Sequence, residues 1–442
     1  MKMQDYLILD NQIVSQVYAR DPLVISGGEG VFLYDIDGKK YYDFSAHYSS
    51  SSLGHNHPEL IKGIIKQLST LVSVSVQFAT RERVALAKRL LLLSGENYKK
   101  VLFGVTGSDA IEFALKAAKY CKKGGVIVSF WRGYHGATAG SAAATGKAET
   151  IQIDPSITSL LPSGFVHVSP PYCYRCDYKK EYPSCDLFCI DFIKKRIIND
   201  GYDNIAAIIT EPIQAAGGVI VPPPGYLKAL KKLCRELDAL LIFDEVVTGF
   251  GRTGSFFTSQ HWDVYPDIMV VGKALTGGYI PGSAVLMTSE VGEAMDKLTL
   301  HGHTHSAYPL MCASALTNLD IIENERLPDN AKRVGNIIIK RLQKMMGKYS
   351  FIGDIRGVGL LIAIEIVQDR DSRQADYQMA DKLYSKLREA GIITELESSP
   401  RLESSVIVLH PPLILSEKEA CEALDIIERV FNEIKGVCGV RS

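Results

Sequence analysis

Six short apolar runs separated by helix-period stretches constrain this chain more than any other feature of its sequence. The runs occupy residues 101–105, 125–130, 164–168, 205–210, 238–243 and 267–271, and helical segments such as 110–120 and 226–237 lie between them. A strand that is apolar on both faces needs a helix layer on each side. The alternation therefore predicts an α/β fold with a doubly wound, mostly parallel sheet.

The flanks read differently. Residues 30–44 form a hairpin pattern with its turn at Asp37-Gly38. Beyond residue 320, helical periodicity over 320–347 leads to strand-like runs at 359–366 and 405–409 and a closing helix at 416–434. We expect an N-terminal segment (1–58) packing with a C-terminal small α+β domain (320–442), and a large α/β domain (59–319) carrying a cysteine-rich excursion at 171–190.

Charge and hydropathy narrow the partners. The 442 residues include 49 basic and 50 acidic side chains with no long run of one sign, which argues against nucleic acid or an anionic membrane as ligand. No stretch reaches the roughly 18 apolar residues of a membrane span. The opening Met-Lys-Met-Gln-Asp-Tyr lacks the apolar core of a signal peptide, so a cytoplasmic location is expected, with most of the nine cysteines reduced.

Open α/β sheets bind ligands outside the carboxyl ends of their strands. There the sequence delivers single charged residues: Asp244 after Leu-Leu-Ile-Phe, and Lys273 after Ile-Met-Val-Val-Gly. Singly, such an Asp reads as a helix cap and such a Lys as a solvated stem. Together, an acid that keeps a ring nitrogen protonated and a lysine that holds a carbonyl cofactor as a Schiff base are what pyridoxal phosphate chemistry needs. The first run leads into Thr106-Gly107-Ser108 at a helix start, readable as a phosphate cradle or as a capping box closed by Asp109. The second delivers Tyr134 and His135 between glycines, with Tyr134 placed either to stack on a cofactor ring or to fill the core. The fourth delivers Glu211, which as a bare residue is equally a surface acid.

These elements, in this order, resemble the class III aminotransferases of the acetylornithine, 4-aminobutyrate and ω-amino acid type. The motifs are Phe-x-x-Thr-Gly-Ser-Asp-Ala-x-Glu (103–112), Tyr-His-Gly (134–136), Glu-Pro-Ile-Gln-x-x-Gly-Gly (211–218), Asp-Glu-Val-x-Thr-Gly-Phe-Gly-Arg-Thr-Gly (244–254) and Gly-Lys-Ala-Leu-x-x-Gly (272–278). Gly-His-x-His-Pro (54–58) and Arg-Gly-x-Gly-Leu (356–360) extend the likeness over nearly the whole chain.

The resemblance implies fold type I and pyridoxal 5′-phosphate as cofactor. It implies that Lys273 carries the cofactor and shuttles the proton between Cα and C4′, that Asp244 pairs with the pyridinium nitrogen, and that Tyr134 and Val246 cover the two ring faces. Gly107 and Ser108 would bind the phosphate, His135 and Glu211 would border the cofactor, and Thr304 would reach the phosphate of a neighbouring subunit, making a homodimer with shared sites. The implied reaction is ping-pong transamination from an amino donor to a carbonyl acceptor. An amino acid racemase or epimerase on the same scaffold and a non-catalytic cofactor-binding protein are the alternatives.

Some positions depart from the family. Val408 stands where an arginine commonly clamps a substrate carboxylate three residues before Pro-Pro-Leu, with Arg401 a nearby substitute. Val247 replaces a common glutamine, and Ala307-Tyr308 a common Gly-Asn or Gly-His. These changes favour an amine, a long ω-amino substrate or an amino sugar. His47, Tyr48 and the serines 49–52 are expected at the substrate entrance, although a serine run also reads as a solvated loop. Cys173-x2-Cys176 and Cys185-x3-Cys189 have spacing that suits a structural zinc or a reduced thiol-rich loop. His301-x-His303-x-His305 also has metal-like spacing, but the family places a phosphate-binding loop there, so no metal is expected in the active site.

Overall fold

The computed structural model describes residues 2–15, 21–147, 160–296 and 301–438. Three N-terminal strands, β1 (Ile25–Glu29), β2 (Phe32–Asp35) and β3 (Lys40–Asp43), pair antiparallel in order. The turn between β2 and β3 closes where Asp35 Oδ1 accepts the N–H groups of Asp37 (3.0 Å) and Lys39 (2.9 Å) around Gly38, whose φ of 81° suits glycine.

The central sheet contains β4 (Lys100–Gly104), β5 (Val126–Phe130), β6 (Phe165–Val168), β7 (Ile205–Thr210), β8 (Leu240–Asp244), β9 (Ile268–Val271) and β10 (Ser283–Met287). Their order is β4-β10-β9-β8-β7-β5-β6. All neighbours are parallel except β10, which runs antiparallel to both β9 and β4. The apolar runs do not disclose β10 as a seventh strand, and its direction has a local cause. The connection 272–282 is too short for the crossover that a parallel neighbour requires.

Successive residues of each inner strand feed opposite helix layers, as double winding demands. Ile127, Ile209 and Ile242 pack on the small-residue face of the helix Gly107–Cys121, formed by Ala110, Ala114, Ala117 and Ala118. Val128, Ile208 and Leu241 point the other way, onto Leu227, Leu230 and Leu233 of the helix Tyr226–Glu236.

A second antiparallel sheet holds β11 (Ile352–Val358), β12 (Leu361–Ile366), β14 (Glu395–Ser399) and β15 (Ser404–Leu409) in the order β11-β12-β15-β14. The remaining strand, β13 (Ile392–Ile393), crosses to the N-terminal sheet and pairs parallel with β3. Both ends of the chain thus meet beside the carboxyl edge of the central sheet.

Glu365 on β12 ties these parts together from a fully buried position. It pairs with Arg175 Nε at 2.7 Å and Arg356 Nη1 at 2.8 Å, and accepts the hydroxyl of Tyr172. Arg356 also donates to Gly218 O, so one carboxylate links the cysteine-bearing excursion, the second sheet and the 211–218 loop. Burial opposes the charge, but the two guanidinium groups win and hold the Glu365 carboxyl below its ordinary value of 4.5. An acid depressed in the folded state stabilises fully above its unfolded pKa, and that contribution is lost as pH falls through the folded value. Glu365→Gln is expected to cost roughly 3–5 kcal/mol near neutrality by leaving two buried cations uncompensated. Denaturant titrations from neutrality to below pH 4.5 should find this cost shrinking as the wild-type carboxyl protonates; a cost independent of pH would contradict the assignment.

Candidate active site

Strands β7, β8 and β9 end side by side, and residues that follow them, Glu211, Val247 and Lys273, reach a cavity of about 290 Å³. Lys273 lines it. After β9 the backbone turns through Gly272 into a short 3₁₀ turn, Lys273–Thr276, and Lys273 itself adopts a φ of 40°. A left-handed lysine is a strained choice of the kind that persists where the surroundings fix it. Burial pushes its ammonium pKa down, although Glu395, Glu211 and Asp244 all favour the charged form. None of those three lies within ion-pair distance of the amine among the described residues.

Asp244 closes β8 and is almost fully buried. Its Oδ1 accepts the Val246 N–H at 3.0 Å and its Oδ2 lies 2.8 Å from His135 Nδ1. A carboxylate only accepts, so His135 Nδ1–H is the donor and the ring is held in one tautomer. The His135 N–H in turn donates to Thr145 Oγ1 at 2.9 Å. The sequence marks His135 only as a cofactor neighbour; the structure places it directly on Asp244, a contact across 109 residues.

Glu211 follows β7 and is fully enclosed. Its Oε1 accepts the Tyr134 N–H at 3.0 Å and its Oε2 the Ala215 N–H at 2.9 Å, so the acid fixes the loop that carries Tyr134. Burial is the largest influence on its pKa, and with the nearby Asp244 charge it outweighs His135 and the two amides to push Glu211 up to about 7.

The helix Gly107–Cys121 opens toward the same end of the sheet. Thr106 Oγ1 caps it by accepting the Asp109 N–H at 3.2 Å, whereas the Asp109 carboxylate turns to the Val105 N–H at 2.8 Å, so only half of the capping box forms. A Cβ on Gly107 would stand 3.2 Å from Val246, filling the space between that side chain and the helix start. Ser108 Oγ accepts the Ala137 N–H at 3.2 Å, bringing the Tyr134 loop against the cradle.

Tyr134, Glu211, Val247 and Lys273 line the cavity, as do Tyr48 and Ser49. The last two reach it from Ala46–Ser49, where four successive residues have φ between 43° and 68°. Asp43 holds this left-handed turn by accepting the N–H groups of Ser45 (3.1 Å) and Ala46 (2.8 Å). His47 is exposed and does not line the cavity, and Ser49 to Ser52 are buried, so the serine run is no solvated loop.

Four polar cavity residues escaped sequence reasoning: Lys147, Glu395, Glu397 and His410. A signal was present in β14, whose Glu-Leu-Glu alternation puts both acids on one face. Val408 lines the cavity, but Arg401 lines a separate groove with Trp131 and Arg132 and does not take the place of an arginine here. Thr304 lies in an exposed turn outside the cavity, beside His301 and His303, whose Nε2 atoms both approach Asp109 Oδ1. That trio is the one group among the described residues whose metal-ligating atoms gather within 4.8 Å. Cys173, Cys176, Cys185 and Cys189 border one small cavity of about 20 Å³ as free thiols.

The class III aminotransferase family matches residues 14–431. The chain belongs to that family. The enzyme is 35% identical to an acetylornithine aminotransferase of Methanothermobacter thermautotrophicus, over 98% of this chain and all of that one. It is 34% identical to a leucine/methionine racemase of Thermococcus litoralis, over 94% of this chain and 91% of the relative. An amine transaminase from an uncultivated Pseudomonas species, solved in a pyridoxal phosphate-bound form, superposes with a TM-score of 0.88 at 33% identity, covering 95% of this chain and 98% of that one.

The enzyme is accordingly a class III aminotransferase of fold type I, and its cofactor is pyridoxal 5′-phosphate. The residues present fit that group. A buried primary amine, a fixed carboxylate, an aromatic ring and an open helix N-terminus supply one partner for each of its functional parts.

Proposed function

We propose that the enzyme moves an amino group from an amine-bearing donor to a carbonyl acceptor by a ping-pong mechanism, with Lys273 and Asp244 as its central pair. The observation that carries this reading is that Asp244 closes β8 while Lys273 follows the neighbouring β9 into the cavity, the acid locked by His135 and the amine held by burial. When bound, pyridoxal 5′-phosphate supplies an electron sink for the carbanion.

The chain's residues do the rest. Asp244, with both oxygens already oriented, keeps a lone pair on each for a ring N–H. The helix start at Gly107 and Ser108 would receive the phosphate, and Tyr134, on the loop that Glu211 fixes, and Val246 would cover the ring. Lys273 Nζ would hold the cofactor and, once free, would take the proton from the substrate Cα; its lowered pKa keeps the basic form accessible.

A homodimer follows from the resemblance, and exposed apolar side chains, among them Val72, Val76, Phe78 and Leu92, are available for an interface. Thr304, outside its own cavity, would then serve the partner's phosphate site. No helix among the described residues is long and apolar enough to cross a membrane.

The racemase relative favours a second reading, proton return to the opposite face of Cα. One experiment separates the two. Holoenzyme is mixed with single amino compounds and no acceptor, and both its visible spectrum and the donor's chirality are followed. Conversion of the cofactor band to that of pyridoxamine phosphate in proportion to donor consumed is the expected result. Loss of optical purity with the band retained would establish the racemase instead.

A further inference from the structure

The substrate side of the cavity ends on β14 and β15, where Glu395 stands opposite Val408 in register. His410, two residues beyond Val408, meets Glu395 again: its Nε2 lies 2.8 Å from Glu395 Oε2. A carboxylate has no proton to give once ionised, so Nε2–H is the donor and His410 Nδ1 is left with a bare lone pair. That Nδ1 and the second oxygen of Glu395, Oε1, are both buried without a hydrogen-bond partner. The His410 side chain is 4% exposed and that of Glu395 16%.

Two unsatisfied acceptors in one wall of a binding cavity are costly unless a ligand supplies donors. The rest of the wall selects the kind of donor. Among the described residues no arginine lines the cavity, Val408 offers only methyl groups, and Lys147 is engaged by Glu397, so the lining offers no uncommitted cation to a substrate carboxylate. An ammonium carries three N–H donors and the charge that Glu395 complements.

We infer that the Glu395–His410 pair is a specificity site for the second, protonated amino group of an α,ω-diamino substrate, whose first amino group reacts at Lys273. This rests on the aminotransferase reading above. Val408, Val247 and Ala215 supply the apolar walls between the two ends, which suits the methylene chain of such a compound.

The test compares three donors of equal carbon count, diaminobutane, butylamine and aminobutanoate, each titrated into holoenzyme while its visible spectrum is followed. The saturation constant and the rate of the single half-reaction are read separately. Diaminobutane should saturate at least about 10-fold more tightly than either competitor, as expected for a hydrogen bond to a charged group. In Glu395→Gln, whose retained visible band and circular dichroism report correct folding, that preference should fall about 10-fold or more, mainly in the saturation constant. Equal saturation by diaminobutane and butylamine in the wild type, tighter binding of aminobutanoate, or an unchanged preference in Glu395→Gln would each overturn the inference. If the band converts only with an α-amino acid, the inference fails and the aminotransferase reading stands; if no amino compound alters the band, that reading fails as well.

Discussion

Lys273→Ala is expected to lower kcat by at least about 10⁴-fold, the largest effect of any single substitution in the chain. Two functions leave with one amine. On the proposed roles, covalent attachment is lost together with the base assigned to the Cα proton; removal of a positioned acid–base group alone costs about 10²–10⁴-fold, and removal of a residue that acts in both capacities costs more. Alanine leaves the left-handed backbone at this position strained as before, so the loss should be chemical. Small primary amines added in solution should restore part of the activity, and more basic amines should restore more.

The stability of the cofactor-free protein should move the other way. Burial holds the folded-state pKa of Lys273 below the ordinary 10.5. A lysine depressed on folding binds fewer protons in the native state, so wild-type stability rises with pH across the interval between its folded value and 10.5. Lys273→Ala lacks this rise and should be no less stable than wild type near neutrality, as followed by thermal melts over pH. A variant that is inactive because it fails to fold would contradict the assignment.

Asp244→Asn is expected to cost about 10²–10³-fold in kcat, the range typical when one preorganised electrostatic partner is removed from an enclosed site. Asparagine preserves shape. Its carbonyl oxygen can still accept from the Val246 N–H or from His135, but not both, and its amide donates where a ring N–H must be received. The second consequence concerns His135. Where the carbonyl turns to the Val246 N–H, the amide faces His135 Nδ1 as a donor and the preference for a proton on Nδ1 is lost. The loss should therefore appear in kcat, with the cofactor still bound and its absorption altered. A variant with wild-type kcat and weakened cofactor binding would assign Asp244 to anchoring alone.

Much of this site is legible in the amino-acid sequence. Asp244 and Lys273 can be found because each ends an apolar run, and the sheet order then brings those two ends together. Gly107, Ser108 and Tyr134 follow from the same rule at β4 and β5. What stays hidden depends on tertiary pairing. His135 reaches Asp244 across 109 residues, and Glu395 meets His410 only because β14 and β15 pair in one particular register. Apolarity does not report strand direction either; the antiparallel β10 follows from the short 272–282 connection once the strand itself is known. The four left-handed residues of Ala46–Ser49 carry no sequence warning because none of them is glycine.

The wall of the cavity illustrates the same limit. Along the chain, Arg401 stands close enough to Val408 to replace an arginine; in space it faces another groove, and the cavity presents acids. Arg401 lies in the turn between β14 and β15, and sequence proximity says nothing about which groove that turn borders.

That Lys273 holds the cofactor is tested most directly by chemical fixation. Holoenzyme is reduced with sodium borohydride, digested, and mapped by mass spectrometry. A reduced pyridoxyl phosphate adduct on Lys273 is the predicted result. An adduct on Lys147, the other lysine of the same cavity, or a cofactor that washes away after reduction, would contradict it.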